Sequence, residues 1–138
     1  MKIAILGGTG SIGKGFALRL SEKHEIIVGS RRPEKAEAAA AEYNNILKKY
    51  GMKDEIKGTD NKTAAENADV ILVAIKYDHI GSVCELIRPV LKNQIIVSVV
   101  VPMEKDFCYI HPDATPLKIP VSREDYNADY FCYTTPTA

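Results

Sequence analysis

The chain has no tryptophan, three cysteines and no formal net charge, with eighteen basic residues balancing eighteen acidic ones in 138 positions. Cys84, Cys108 and Cys132 are odd in number and form no C-x-x-C pair. That excludes a disulfide framework or zinc site as the organising element. Cys108 and His111 lack a second ligand pair, so no metal is expected. The balanced charge provides no footprint for nucleic acid or a membrane surface. No apolar run reaches the roughly 20 residues of a membrane span. Met1-Lys2-Ile3 leads straight into an apolar run without a signal sequence, so a cytoplasmic location is expected. With 46% hydrophobic residues, the chain suits one domain with a substantial core.

What the chain does have is concentrated in its opening. Lys2-Ile3-Ala4-Ile5-Leu6 is apolar and β-prone, and Gly7-Gly8-Thr9-Gly10-Ser11-Ile12-Gly13 follows. Gly8, Gly10 and Gly13 have G-x-G-x-x-G spacing. Phe16, Ala17, Leu18 and Leu20 then fall at helical spacing, and His24 to Gly29 forms a second strand. This predicts a βαβ unit whose glycine turn lets backbone approach a pyrophosphate. The free N–H groups and positive dipole end of the helix would receive the phosphate charge.

The second strand ends in Ser30-Arg31-Arg32, with Lys35 one turn further on. An NAD site usually places Asp or Glu there for the ribose 2′-hydroxyl. A hydroxyl and guanidinium groups suit a 2′-phosphate instead, because Arg presents a fork to phosphate oxygens. The expected cofactor is NADP(H).

Further along, the spacing predicts a helix over Pro33–Tyr50, ended by Gly51, and a weak edge strand over Asp54–Gly58. A short helix through Ala64, Ala65 and Glu66 has Asn61 or Thr63 as candidate caps. Val70–Ile75 reads as a strand buried on both faces. Tyr77–Lys92 reads as a helix with Ile80, Val83, Cys84, Ile87 and Leu91 inside and Pro89 as a kink point. Gln94–Val101 is the fifth strand, stopped by Pro102. The expected fold is α/β, a Rossmann-type doubly wound parallel sheet of order 3-2-1-4-5, with cofactor across the carboxyl ends of strands 1 and 4. Residues 1–102 form the expected NADP(H)-binding domain. Residues 103–138 form a loop-rich, irregular extension, with Asp129–Tyr133 a candidate short strand.

The segments MKIAILGGTGSIGKGFALRL and EIIVGSRRPEKAEAAAAEY closely resemble the coenzyme F420-dependent NADP oxidoreductases. Asn67–Leu72 and Ile96–Ser98 with Val101-Pro102 fit the same pattern, so the resemblance covers residues 1–102. It implies direct hydride transfer between NADP(H) and the deazaflavin F420, with the protein aligning two rings and excluding water. It places Thr9, Ser11 and Ile12 at the pyrophosphate and Ser30, Arg31 and Lys35 at the 2′-phosphate. Ala74, Ile75 and the segment through His79 lie near the nicotinamide ribose and deazaflavin, with Val101 and Pro102 bordering the cleft. Relatives usually have proline where this chain has Lys76, which can meet the acidic tail of F420, a phosphate, or solvent. Relatives also continue into a small, mainly helical domain that helps close the F420 site and dimerise, so this chain is expected to be a truncated piece, a fragment or a naturally shortened form, and the exposed edge of a truncated sheet favours self-association as a homodimer.

Acid–base candidates are few. His79 stands at the expected cleft mouth and can donate to a ring carbonyl, or simply begin a helix. Asp78 fits a cap or first-turn acid. Ser98 fits a structural role, and Tyr109, Tyr126, Tyr130 and Tyr133 fit core packing or an aromatic patch. The absence of an interior Tyr-x-x-x-Lys pair argues against short-chain dehydrogenase chemistry. Two other readings stay open: a non-catalytic NADP(H)-binding or sensing module, and an NADP-dependent reductase of another small molecule.

Overall fold

Side chains alternate across a strand, so the five apolar-rich residues of β1 (Lys2–Leu6) serve two layers at once. The structure, a computed structural model, describes residues 1–52 and 55–100. β1 pairs in parallel with β2 (Glu25–Ser30) on one side and β4 (Val70–Val73) on the other. β3 (Lys57–Asp60) adds beyond β2, and β5 (Ile95–Ser98) adds beyond β4. The strand order is 3-2-1-4-5, as expected.

Ile3 and Ile5 join Ile26, Val28 and Leu72 on one face. Ala17 of α1 (Ser11–Leu20) and Ala36, Ala40, Tyr43 and Leu47 of α2 (Pro33–Lys49) cover them. Ala4 and Leu6 join Ile27, Ile71 and Val73 on the other face, beneath Ala64 and Ala65 of α3 (Asn61–Glu66) and Val83 and Ile87 of α4 (Ile80–Ile87). Burying each large aliphatic side chain stabilises by about 1.5–3 kcal/mol. β1 therefore holds both helical layers and fixes where its own carboxyl end lies.

Several boundaries differ from expectation, each for a local reason. The third strand starts at Lys57 because the Asn44 amide of α2 takes both backbone groups of Ile56, its Nδ2 donating to the carbonyl at 2.9 Å and its Oδ1 accepting from the N–H at 3.0 Å. Pairing with β2 begins one residue later, as Lys57 against Ile27. The cap of α3 is neither Asn61 nor Thr63: Asp60 Oδ1 accepts from the Thr63 N–H at 2.9 Å.

The helix expected over Tyr77–Lys92 is three pieces, with 3₁₀ turns at Tyr77–His79 and Arg88–Val90 flanking α4. Pro89 lacks an N–H and its ring crowds the preceding turn, so the α-helix stops at Ile87. β4 ends at Val73 because its partner β1 ends at Leu6, and β5 ends at Ser98 opposite Val73. Val101, Pro102, Asp54 and the extension 103–138, with Cys108, His111, Cys132, the four tyrosines and the candidate strand Asp129–Tyr133, lie outside the described residues.

Candidate cofactor site

The site begins with the glycines between β1 and α1. Gly7 has φ +78°, and a Cβ there would stand 2.6 Å from both the Ala74 carbonyl oxygen and Ile75 Cγ2. Only glycine turns the chain at this point. Gly13 packs its backbone on Gly8, where a Cβ would meet Gly8 Cα at 2.5 Å. Tyr43, buried in α2, locks the loop from below: its hydroxyl donates to the Gly8 carbonyl at 2.9 Å. Burial pushes the Tyr43 phenol above its ordinary value, with Glu42 adding to the rise, so it remains a donor.

Gly10 caps α1 without a side-chain bond, and the first turn of α1 contains no acid. The first N–H groups of α1 have no intrahelical acceptor, the usual condition of a helix start that can receive an anion. Next to it, β2 delivers Ser30, which is 8% exposed. The Arg32 N–H donates to Ser30 Oγ at 3.3 Å, leaving the hydroxyl proton free to donate elsewhere. Arg31, Arg32 and Lys35 are exposed. None of the three makes a salt bridge among the described residues.

These parts meet in a cleft of about 650 Å³ at the carboxyl ends of the strands. Thr9, Gly10, Ser30, Arg31, Arg32 and Lys35 form one wall, and Ala74, Ile75, Lys76, His79 and Val83 form the other. No Asp or Glu lines it among the described residues. Gly8 and Gly13 are buried beneath the loop, while Ser11 and Ile12 stand exposed at the start of α1 without lining the cleft. Ile12 is 59% exposed. Asp78 lies in the first turn of the Tyr77–His79 segment, and no side chain caps α4.

Sequence reasoning missed Gly7, Asn61 and Val83 as lining residues, and Tyr43 as the prop of the loop. Gly7 was legible, since two adjacent glycines after a strand leave either one to make the turn. Asn61 was hidden behind its second role as a candidate cap.

A Cβ at Gly7, Gly8 or Gly13 would clash with the protein's own backbone, so the loop is held tight by glycine, and the cleft wall gathers cations without acids. Such a site suits a dinucleotide with an added phosphate. Parallel order, glycine turn and cleft together define a Rossmann-type domain of the kind found in nicotinamide-dependent oxidoreductases. Residues 2–102 match the family model described as NADP oxidoreductase, coenzyme F420-dependent, and the chain belongs to that family.

It is 47% identical over 103 residues to the F420-dependent NADP reductase of Methanocaldococcus jannaschii, covering 75% of this chain and 46% of that protein. It is 36% identical over 105 residues to the F420-dependent NADP reductase of Methanothermobacter marburgensis, with the same shares of 75% and 46%. The chain thus spans less than half the length of these curated relatives. Among solved structures, malate dehydrogenase from Salinibacter ruber is similar at TM-score 0.63 and 17% identity, over 75% of this chain and 37% of that one. At that identity the likeness is one of fold.

Proposed function

We propose that this chain binds NADP(H) in preference to NAD(H) and presents it for hydride exchange with the deazaflavin F420. The observation that carries the reading is the wall formed by Ser30, Arg31, Arg32 and Lys35 without an acid. The α1 N–H groups and Thr9 hold the pyrophosphate, with Gly8, Gly10 and Gly13 giving the backbone room and Ser11 and Ile12 contributing main-chain donors. Ser30 donates its free hydroxyl to the 2′-phosphate, and Arg31, Arg32 and Lys35 supply the charge.

NADP(H), when held there, would supply hydride chemistry. Ala74 and Ile75 shape the wall beside it, Lys76 offers a cation to the acidic part of F420, and His79 donates a hydrogen bond to a ring carbonyl. Val101 and Pro102, which the family resemblance also assigns to this border, lie outside the described residues. The protein's work here is alignment and water exclusion, which need no covalent nucleophile. In the same reading, residues 1–102 are the NADP(H)-binding domain and 103–138 an extension. The chain acts as a cytoplasmic homodimer on small molecules, with no nucleic-acid or membrane partner. Support for F420 comes from the relatives named F420-dependent NADP reductase. Among the described residues, no helix is long and apolar enough to cross a membrane.

The test is calorimetric titration with NADP(H) and NAD(H), followed by F420 added to the NADP complex. The expected result is a preference for NADP(H) that Arg31→Ala reduces by about 10- to 100-fold, with F420 binding to the complex. Equal affinity for both nicotinamide cofactors overturns the cofactor reading. NADP(H) binding without F420 binding reduces the chain to a cofactor-binding module.

A further inference from the structure

Asn61 is the first residue of α3, at the carboxyl end of β3, and it is 2% exposed. Its Oδ1 is buried without a hydrogen-bond partner among the described residues. A buried amide oxygen left unpaired costs stability, and most such groups in folded proteins are satisfied. The capping of α3 does not account for it, because Asp60 performs that task. The position is nevertheless built to hold an amide: a Cβ on Gly29 would stand 2.8 Å from Asn61 Oδ1. The missing side chain of Gly29 makes the seat. Asn61 also lines the cleft, alongside Thr9, Ser30 and Arg31.

The register says which part of a cofactor lies closest. Ser30 pairs with Asp60, so Asn61 follows directly on the residue beside the 2′-phosphate anchor. The adenosine half is therefore its neighbour, on the reading that the cleft takes NADP(H). The phosphates on that half only accept hydrogen bonds from the protein. Its remaining donors are the ribose 3′-hydroxyl and the adenine 6-amino group. The terminal torsion of Asn is broad, so the amide turns toward the cleft without moving α3.

We propose that Asn61 is a further cofactor-binding residue, whose side-chain amide accepts a hydrogen bond from a donor on the adenosine half of the cofactor. Its unpaired state in the free protein is then the counterpart of a bond made only with ligand.

The test uses adenosine 2′,5′-bisphosphate as probe, titrated into the full chain and into Asn61→Leu. The expected result is a roughly tenfold loss of affinity with an unchanged or higher Tm, since the substitution removes an unsatisfied buried oxygen. Unaltered affinity overturns the proposal, and so does a loss of affinity accompanied by a lower Tm, which marks a structural role. If the variant does not fold, the native chain is titrated with the 3′-deoxy and the 6-deamino forms of the probe. The form that loses affinity identifies the donor, and full affinity for both overturns the proposal. A native chain that binds no probe at all brings down the NADP(H) reading as well. Normal native binding with unaltered Asn61→Leu affinity brings down this inference alone.

Discussion

The two walls of the cleft are made from different material. On the side of β1, β2 and β3 the wall joins a backbone loop, with a glycine turn at Gly7, the open first turn of α1 and a buried tyrosine bonded to the Gly8 carbonyl, to the side chains of Ser30, Arg31, Arg32 and Lys35 at the end of β2. On the side of β4 and β5 it is a short turn carrying Lys76 and His79, followed by a helix of 8 residues. The outer strand of that side leaves Ile95 64% and Val97 39% exposed, whereas β2 is buried from Ile26 to Ser30. The first wall derives its shape from steric necessity. The second derives its chemistry from side chains that neighbouring structure must position. A pyrophosphate seat can be built from fixed N–H groups alone, while a seat for a reacting ring needs walls.

The sharpest way to break this comparison is Gly13→Ala. The new Cβ meets Gly8 Cα at 2.5 Å, and that backbone has no room to yield. Overpacking of this kind costs about 2–3 kcal/mol. Thermal melts should register that loss, and titration should show NADP(H) affinity lowered by about a hundredfold or more. Retention of affinity would mean that the glycine loop does not carry the phosphates.

Tyr43→Phe probes the same wall more gently. It removes the donor to the Gly8 carbonyl and leaves that oxygen buried, at a cost of about 1–1.5 kcal/mol. Denaturant melts should show that loss. Titrations should show a fall in NADP(H) affinity, with NAD(H) affinity falling in proportion, because the pyrophosphate seat is common to both.

The difference between the walls also explains what the sequence made legible. Gly8, Gly10 and Gly13, the apolar alternation of β1 and the continuous apolar β4 are local signals of local geometry, and the strand order followed from them. Ser30, Arg31, Arg32 and Lys35 were legible as members of one cleft wall because they follow the carboxyl end of β2. The start of β3 was not, because Asn44, far away in sequence, takes both backbone groups of Ile56. The Tyr77–Lys92 helix was overextended because apolar periodicity runs on through Pro89, while the proline's missing N–H stops the α-helix. Asn61 was placed in the right helix turn with the wrong task. Its burial arises from Gly29, a contact that spacing does not encode.

Asp60 lets the β3 side of the fold be tested apart from the glycine loop. Hydrogen bonds from the side chain and backbone of Thr63 hold its carboxyl below the ordinary value. Asp60→Ala should cost about 1 kcal/mol, the usual worth of such a cap. Because the folded-state value is the lower one, this contribution is present above about pH 4 and is lost as pH falls through the folded value. Melts of native and variant chains should therefore differ at neutral pH and converge in acid. A difference that persists at the acid end would place the effect in packing instead of in the charged cap.

The smallest expected change has the opposite sign and sits in the other half. Gly81, in the first turn of α4, has nothing within 4 Å of an added Cβ and does not line the cleft. Its φ is not in the left-handed region, so alanine fits its backbone without strain. Gly81→Ala should raise stability by about 0.5–1 kcal/mol, by removing conformational freedom from the unfolded chain. NADP(H) affinity should stay unchanged. The same substitution would then destabilise at Gly13 and stabilise at Gly81, which separates a glycine that shapes a site from one that merely occupies a helix. A loss of stability at Gly81 would contradict that division. It would show that the Tyr77–His79 turn feeding α4 needs glycine's freedom, and that the second wall is also set by backbone geometry.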